Sequence, residues 1–197
     1  MGLAQSQILI SNEEYLLMER NASFKSEFFH GQVYAMAGGS IAHNGISGNI
    51  FAAIHTHLKN KDCRPFNSDQ RIKISIWPSF LYPDVSVVCG KPEVSDKDNI
   101  SNPVIIVEVL SESTEEYDRV LKYGQYRQIP SLKEYILVSS KEKKITKFER
   151  ADKTDCWIES VYDLNNNIPL NLESINLTLP LEAIYYNIEL DAHLSIR

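Results

Sequence analysis

Two apolar segments, each with one acidic residue, constrain the fold more than any other part of the chain. Residues 104–110 are almost entirely branched apolar residues but include Glu108, and Asp84 directly precedes the mostly apolar residues 85–88. Nearly unbroken apolar runs are typical of central strands covered on both faces. An ionised carboxylate is costly to desolvate there unless a cation or a hydrogen-bond donor meets it. The pattern therefore predicts two buried strands with a polar site at their ends.

The positions of the two acids also predict how these strands pair. The charged loop between them, residues 90–101, contains Asp96, which lies midway between Asp84 and Glu108. A symmetric antiparallel connection would place the acids opposite each other on one face, whereas a shift of one residue would place them on opposite faces. If they converge, they repel each other unless a cation lies between them. The favoured cation is Mg²⁺, with Mn²⁺ as a substitute, because Mg²⁺ usually takes one or two carboxylates together with water and phosphate oxygens.

The helix predicted over residues 114–127 carries three polar side chains on one face. Asp118, Lys122 and Tyr126 recur every four residues, a spacing that aligns them along a helix. If this face overlies the strand ends, the long side chain of Lys122 reaches the carboxylates. A metal ion and an ammonium beside a water molecule suit attack on a phosphodiester, where negative charge develops on the non-bridging oxygens. An adjacent face is predicted to pack against the protein and consists of Tyr117, Leu121 and Gly124.

The other core elements follow from hydrophobic periodicity. Apolar residues at three- and four-residue intervals predict an amphipathic helix over residues 41–58. Strict alternation predicts a half-buried strand over residues 71–76. An apolar strand over residues 134–138 follows the helix of residues 114–127, so it should lie parallel to the Glu108 strand through a right-handed crossover. The predicted order is helix, strand, strand, strand, helix, strand.

The length of the chain and its flanking segments predict the domain organisation. A chain of 197 residues most simply forms one domain, which we place at residues 1–197 with the core at about residues 41–140. Residues 11–37 are predicted to add a short helix and a β-hairpin before this core. Residues 144–186 are predicted to add short β segments to the same sheet after it.

Composition and cysteine spacing limit the class of protein. The net charge of −6 argues against a protein coated in positive potential, although it allows a local basic groove. Cys63, Cys89 and Cys156 are widely spaced and odd in number, so neither a disulfide framework nor a zinc site is expected. No apolar run approaches the roughly 20 residues that span a bilayer. These features predict a cytoplasmic protein without a membrane partner.

A set of motifs distributed along the chain fits one known family. The main motifs are Pro83-Asp84, Glu108 within Val-Glu-Val-Leu-Ser, and the helix with Asp118, Lys122 and Tyr126. Further segments that fit the pattern are Glu13-Glu14-Tyr15-Leu16, the hairpin with Glu27, His43, and Glu134-Tyr135. Together they resemble the Uma-type restriction endonuclease family, a branch of the PD-(D/E)XK nuclease superfamily. The resemblance implies an α/β, restriction-endonuclease-like fold, with a mixed central sheet flanked by helices in the core order αβββαβ. It also implies metal-dependent hydrolysis of phosphodiester bonds.

The resemblance also implies roles for individual residues. The superfamily places a lysine two residues after the second acid, but this chain has Leu110 there, so the role passes to Lys122. By resemblance, Asp84 and Glu108 bind Mg²⁺, the Val109 carbonyl adds a ligand, and Lys122 orients or activates water and stabilises the charged transition state. Three further residues are expected to contribute, namely Glu27 as an extra acid and Asp118 and Tyr126 as supports.

Simpler interpretations of the same residues stay open. An aspartate after a proline, such as Asp84, is usually a turn or cap residue. Glu108 would be explained structurally by an ion pair with an arginine, and Lys122 by a solvated pairing with Asp118 four residues away. His43 lies near the start of its helix, where it either contacts the site or makes a capping or surface hydrogen bond.

A basic cluster follows the strand of residues 134–138. It could contact a phosphate backbone, but a solvated hairpin is the commoner explanation. Its members are Lys141, Lys143, Lys144, Lys147 and Arg150.

Three functions agree with these patterns. The first is a cytoplasmic Mg²⁺-dependent endonuclease that cuts phosphodiester bonds in nucleic acid, with DNA as the expected substrate, and acts as a homodimer because cutting two strands favours two sites. The second is a catalytically silent nucleic-acid-binding or regulatory protein that retains the nuclease fold. The third is a metal-dependent phosphoesterase that acts on small nucleotides.

Overall fold

A computed structural model describes residues 9–76, 78–111, 114–151, 156–166 and 168–191. Its α-helices are α1 (Asn12–Asn21), α2 (Ile41–Leu58), α3 (Tyr123–Tyr126) and α4 (Leu181–Ile184), with a π-helical segment at Tyr117–Lys122 and a 3-10 turn at Glu173–Ile175. Its strands are β1 (Ser26–Phe29), β2 (Gln32–Ala35), β3 (Cys63–Asn67), β4 (Arg71–Ile74), β5 (Ser79–Leu81), β6 (Val85–Cys89), β7 (Val94–Ser95), β8 (Asn99–Ile100), β9 (Ile105–Leu110), β10 (Glu134–Ser139), β11 (Lys144–Arg150), β12 (Trp157–Asp163), β13 (Leu170–Leu172) and β14 (Leu177–Leu179). Within the described ranges, no helix combines the length and the hydropathy of a membrane span.

The central sheet is mixed and is covered on both faces. Its strand order is β12-β11-β10-β9-β6-β3, in which only the β9–β10 pair is parallel. On one face, Ile46 and Ile50 of α2 pack in one apolar cluster with Val107. On the other face, Tyr126 of α3 packs with Leu110. The predicted mixed sheet flanked by helices, in the order αβββαβ, is confirmed.

The predicted register of the two acid-bearing strands is also confirmed. Val85 pairs with Val107 and Val87 with Ile105 in an antiparallel ladder. The same register, continued by one residue, places Asp84 opposite Glu108. The connection is more structured than the predicted loop, because β7 and β8 form a short hairpin that joins a second sheet. The chain reverses at Asp96, where φ is 49°, so the loop is centred where the spacing predicted.

One core strand was assigned wrongly from the sequence. The segment predicted over residues 71–76 is shorter, β4, and belongs to the second sheet, whose order is β2-β1-β5-β4-β8-β7. The third strand of the central sheet is instead β3, which pairs with β6. Its sequence, Cys-Arg-Pro-Phe-Asn, has no apolar alternation, and its proline is tolerated because β3 lies at the sheet edge.

The expectation that no cysteines pair is wrong. Cys63 and Cys89 form a disulfide. They stand directly opposite each other in the β3–β6 ladder. Because β3 was not predicted, the sequence separation of 26 between the two cysteines concealed their proximity. The argument for a reducing compartment that rested on unpaired cysteines therefore loses its support.

The flanking segments agree with the sequence in part. The N-terminal helix has the predicted capping box, in which Ser11 and Glu14 exchange hydrogen bonds, and β1 and β2 form the predicted hairpin. After the core, β11 and β12 extend the central sheet as predicted. The strands β13 and β14 do not, because they pair only with each other in a separate two-stranded sheet.

Candidate active site

The two predicted metal ligands lie side by side at the edge where β6 begins and β9 ends. Asp84 accepts a hydrogen bond at Oδ2 from the Val109 backbone N–H, at 2.7 Å. The Asp84 backbone N–H in turn lies 3.4 Å from Glu108 Oε2. Glu108 is only 3% exposed, and all six residues of its strand, β9, are buried. Asp84 is thus more than a turn residue, since its carboxylate bonds to the neighbouring strand.

The Val109 carbonyl faces the same side as the Asp84 carboxylate. The Leu110 carbonyl accepts a hydrogen bond from Ser140, directly after β10, whereas the Val109 N–H donates to Asp84, directly before β6. Successive residues of a strand alternate in this respect. Val109 therefore directs both its N–H and its carbonyl toward the β6 side of the strand. It does so next to Asp84, which precedes Val85, the first β6 residue that pairs with β9. A backbone oxygen and two carboxylates converge at this edge.

Lys122 lies among three carboxylates. Its Nζ is 3.1 Å from Glu108 Oε1, 3.1 Å from Glu27 Oε1 and 3.3 Å from Asp118 Oδ1. The side chain is 7% exposed, so the interpretation of Lys122 as a solvated helix lysine is wrong. Glu27 comes from β1 and also accepts from the Tyr82 backbone N–H at 2.9 Å, which connects the second sheet to the site. The structure thus brings the predicted lysine and all of the predicted acids together.

Leu110 occupies the position at which the resemblance leads one to expect a lysine. It stands two residues after Glu108 on the same face and packs in one apolar cluster with Tyr126. The ammonium beside Glu108 comes instead from Lys122 on the helix that follows. The Tyr126 hydroxyl donates to Glu108 Oε1 at 3.1 Å. Glu108 therefore bonds to Lys122 and Tyr126, and the alternative of a structural pairing with an arginine is wrong.

The electrostatics of the site are dominated by burial and by surplus negative charge. Burial raises the pKa of Glu108 well above its usual value, and the Lys122 ammonium opposes this rise while Asp118 and Asp84 add to it. Burial likewise raises the pKa of Asp118. For Lys122, burial disfavours the charged form, but the carboxylates Glu108, Glu27 and Asp118 outweigh it and raise its pKa well above the usual value. Lys122 stays protonated, and it is outnumbered by the acids around it.

The donor set suits a hard cation. Asp84, Glu108 and the Val109 carbonyl offer only oxygen atoms, which Mg²⁺ prefers. Among the described residues, no three histidine, cysteine, aspartate or glutamate side chains are arranged to hold a metal by themselves. That agrees with Mg²⁺, which takes one or two carboxylates and completes its shell with water and phosphate oxygens. The residues present fit Mg²⁺ held jointly with a substrate.

His43 contacts the site instead of capping its own helix. The cap of α2 is Ser40, whose hydroxyl accepts from the His43 backbone N–H. The imidazole Nε2 lies 2.9 Å from Asp84 Oδ1. Burial disfavours the charged imidazole, but the hydrogen bond and the charge of Asp84 raise the pKa of His43. Of the two alternatives for His43, the structure shows contact with the site.

The predicted packing face of Tyr117, Leu121 and Gly124 is wrong at one position. Leu121 is 40% exposed, whereas Tyr117 and Gly124 are half-buried. Tyr117–Lys122 is π-helical, and its wider turn changes which residues face inward. Tyr117 packs as predicted, with its ring 5.6 Å from that of Tyr34 and Lys122 Nζ 5.6 Å above it. Its contact with the ammonium was not predicted.

Two members of the basic cluster after β10 are engaged within the protein. Lys147 is 2% exposed and makes ion pairs with Glu134 and Glu149 at 2.8 Å and 2.7 Å. Arg150 donates to the backbone carbonyls of Leu132 and Ile129. A solvated hairpin is therefore the wrong explanation for these two residues, and both are already engaged by the protein.

Comparison with known proteins shows the family. The sequence model of the family described as "Uma2: Putative restriction endonuclease" matches residues 12–182. This chain belongs to the Uma2 family.

Two Synechocystis proteins are similar to this Uma2 chain. The uncharacterized protein slr1290 is 39% identical over 176 residues, which cover 89% of this chain and 91% of slr1290. The uncharacterized protein sll1609 is 37% identical over 140 residues, which cover 70% of this chain and 78% of sll1609.

A solved structure has the same fold. It is the crystal structure of "a putative nuclease belonging to DUF820" from Anabaena variabilis. The match has a TM-score of 0.72 and covers 89% of this chain and 97% of that chain, at 16% sequence identity. At such low identity the similarity establishes the fold alone, and the fold of this Uma2 protein is restriction-endonuclease-like.

Proposed function

We propose that this Uma2 protein is a Mg²⁺-dependent endonuclease that hydrolyses phosphodiester bonds in DNA. One observation carries the proposal. Asp84 and Glu108 face each other across neighbouring strands, and the Lys122 ammonium lies 3.1 Å from Glu108. Two acids and a cation at a strand edge are the groups that hydrolysis of a phosphodiester requires. The family description, which names restriction endonucleases, supports DNA as the substrate.

The two acids are assigned to metal binding. Asp84 and Glu108 would hold Mg²⁺ together with the Val109 carbonyl, which faces the same side. A bound Mg²⁺ would act as a Lewis acid toward phosphate oxygens and would lower the pKa of a coordinated water. The surplus negative charge around Lys122 supports this assignment, because a divalent cation would offset charge that the single ammonium leaves uncompensated.

Lys122 is assigned to charge stabilisation. Its pKa is raised by three neighbouring carboxylates, so it is a poor proton acceptor at neutral pH and a good hydrogen-bond donor. An ammonium held among buried side chains can stabilise the negative charge that develops on phosphate oxygens. Glu27 and Asp118 keep the ammonium charged and fix its position, and the Tyr126 hydroxyl donates to Oε1 of Glu108, the same oxygen that Lys122 contacts. Two such sites are needed for two DNA strands, which supports a homodimer as the acting form.

The test is cleavage of labelled duplex DNA with Mg²⁺, compared with EDTA. Asp84→Asn, Glu108→Gln and Lys122→Met keep the shape of each side chain while they remove its charge. Cleavage should be abolished by EDTA and by the two acid substitutions, and strongly reduced by Lys122→Met. A matched control is Glu159→Gln, which alters an exposed carboxylate on β12 and should leave cleavage unchanged.

The outcomes separate the rival functions. Cleavage that persists in all three variants would exclude this site. DNA binding without cleavage by the wild-type protein would indicate a catalytically silent binding protein. Hydrolysis of mononucleotides, with intact DNA left uncut, would indicate a phosphoesterase for small nucleotides.

A further inference from the structure

The Asp84 carboxylate is held at both of its oxygens. Oδ2 accepts from the Val109 backbone N–H at 2.7 Å, and Oδ1 lies 2.9 Å from His43 Nε2. An ionised carboxylate only accepts hydrogen bonds, so Nε2 must carry the hydrogen. The first contact comes from the backbone of the central sheet. The second comes from a side chain on α2, which packs on the opposite face of that sheet from Tyr126.

Within the described part of the chain, the contact with Asp84 is the polar contact of the His43 imidazole. Its Nδ1 is buried and has no hydrogen-bond partner among the described residues. The side chain is 17% exposed. A buried ring nitrogen without a partner is unfavourable. The hydrogen bond to Asp84 is therefore the contact that compensates for burying the imidazole here.

Gly39 gives the imidazole the space it occupies. A Cβ atom at position 39 would lie 2.6 Å from His43 Cδ2 and 2.9 Å from Cγ, which is closer than side-chain atoms approach. The clash involves the ring itself, so a larger residue at position 39 would displace the ring from Asp84. Gly39 is therefore needed for close approach, since its φ is not in the left-handed region.

The backbone of His43 is held as well. Ser40 Oγ accepts from the His43 N–H at 3.0 Å and donates to Asp191 Oδ2 at 2.8 Å. The Asp191 backbone N–H donates to the Ser140 carbonyl, directly after β10. Ring and backbone are thus both restrained relative to the central sheet that carries Glu108.

We propose that His43 is a positioning residue that orients the Asp84 carboxylate for the metal ion, with Gly39 providing the space for its ring. The inference rests on the proposed metal-binding function and assigns a further determinant of that site. Groups that hydrogen-bond to a metal ligand typically contribute 10- to 100-fold to metal affinity or activity. His43 should therefore affect how tightly the metal binds more than the rate at saturating metal.

The test is the affinity for Mn²⁺, measured by titration calorimetry on the full chain. His43→Ala should weaken binding about 10- to 100-fold, and Gly39→Ala should weaken it in the same direction because it displaces the ring. His43→Gln should restore part of the affinity, since its amide N–H can still donate to Asp84. The control His55→Ala alters an exposed histidine of the same helix and should leave the affinity unchanged.

A second readout separates positioning from general structural support. Cleavage by His43→Ala should return toward the wild-type rate as the Mg²⁺ concentration rises, which a misfolded site would not show. Wild-type affinity in both His43→Ala and Gly39→Ala would overturn the inference. Direct Mn²⁺–imidazole coupling in electron paramagnetic resonance would also overturn it, because His43 would then be a ligand. Failure of the wild-type protein to bind Mn²⁺ would overturn the proposed function together with this inference.

Discussion

Two buried lysines of this protein stand in opposite electrostatic situations. Lys147 has two carboxylate partners, of which Glu134 also accepts from the backbone N–H groups of Glu173 and Ser174, while the Glu149 side chain is 37% exposed to solvent. Its Nζ also donates to the Asn171 carbonyl. Every charge in this cluster is compensated by a partner or by water, which is the pattern of a structural ion pair.

The cluster around Lys122 is not balanced in this way. Three carboxylates lie within 3.3 Å of one ammonium, and Asp84 adds a fourth acid beside Glu108. The side chains of the three paired acids are at most 5% exposed, so water screens little of this charge. Burial alone does not mark a functional site, since both lysines are buried. The difference lies in the number of buried carboxylates around one ammonium. Burial raises the pKa of Glu108 and of Asp118, and the proposed metal ion would favour their charged forms.

The largest expected effect is on catalysis at the unbalanced cluster. Asp84→Asn and Glu108→Gln should each lower cleavage on the order of 10³-fold, as expected for loss of a group that stabilises developing charge. The same substitutions remove surplus buried charge, so the metal-free protein should be at least as stable as the wild type. Urea unfolding and single-turnover cleavage measure the two quantities. A large loss of stability would show that these acids are structural, as Glu134 is.

The next effect is on stability at the balanced cluster. Lys147→Met should lower the free energy of unfolding by about 3 kcal/mol, because it leaves a buried carboxylate without its partner. Cleavage per folded molecule should not change. The double variant Lys147→Met/Glu134→Gln should recover part of the loss in urea unfolding. A decrease in cleavage without loss of stability would contradict the division between the two clusters.

Metal binding should stabilise the folded protein through the acids around Lys122 and not through those around Lys147. At a Mg²⁺ concentration 100 times its dissociation constant, the free energy of unfolding should rise by about 2.7 kcal/mol. Asp84→Asn should remove this gain, whereas Glu149→Gln, at the Lys147 cluster, should retain it. Thermal unfolding with and without Mg²⁺ measures the difference. Equal stabilisation of both variants would place the metal elsewhere.

The smallest effect is a pH dependence at Lys147. Burial disfavours its charge, but the hydrogen bonds that its ammonium donates to Glu134 and Glu149 outweigh burial and raise its pKa in the folded protein. A raised pKa means that the stabilisation is complete below the unfolded value of about 10.4 and is lost as pH rises through the folded value. The difference in unfolding free energy between wild type and Lys147→Met should therefore be constant at neutral pH and shrink above about pH 10. A difference that persists unchanged above the pKa of Lys147 in the folded protein would contradict this assignment.

Part of the site was predictable because it depends on local spacing. Asp84 and Glu108 were placed opposite each other from the midpoint at Asp96, and the ladder of Val85 with Val107 confirms the register. The four-residue spacing of Lys122 and Asp118 predicted a shared face, and the two side chains form an ion pair. These features follow from the periods of strand and helix, which the order of residues contains directly.

Other features were not predictable because they depend on contacts between distant segments. The edge strand β3 has no apolar alternation, so neither its pairing with β6 nor the Cys63–Cys89 disulfide had a signal. The π-helical turn reversed the expected burial of Leu121, because the period itself changed there. Lys147 appeared to belong to a surface cluster until its partner Glu134, thirteen residues earlier in the chain, was placed beside it.

The sequence by itself determined which residues could form a site. Apolar patterning required buried strands, and the acids within or beside them required a cation or a hydrogen-bond donor, because an uncompensated carboxylate is costly to bury. The tertiary structure alone decided which cation serves which acid. The sequence around Lys122 and Lys147 does not distinguish the two lysines. Packing places three buried carboxylates around Lys122, whereas the acid partners of Lys147 are balanced by backbone N–H groups or by water. Charge balance depends on distances of a few ångströms between segments far apart in the chain, and those distances exist only in the folded protein.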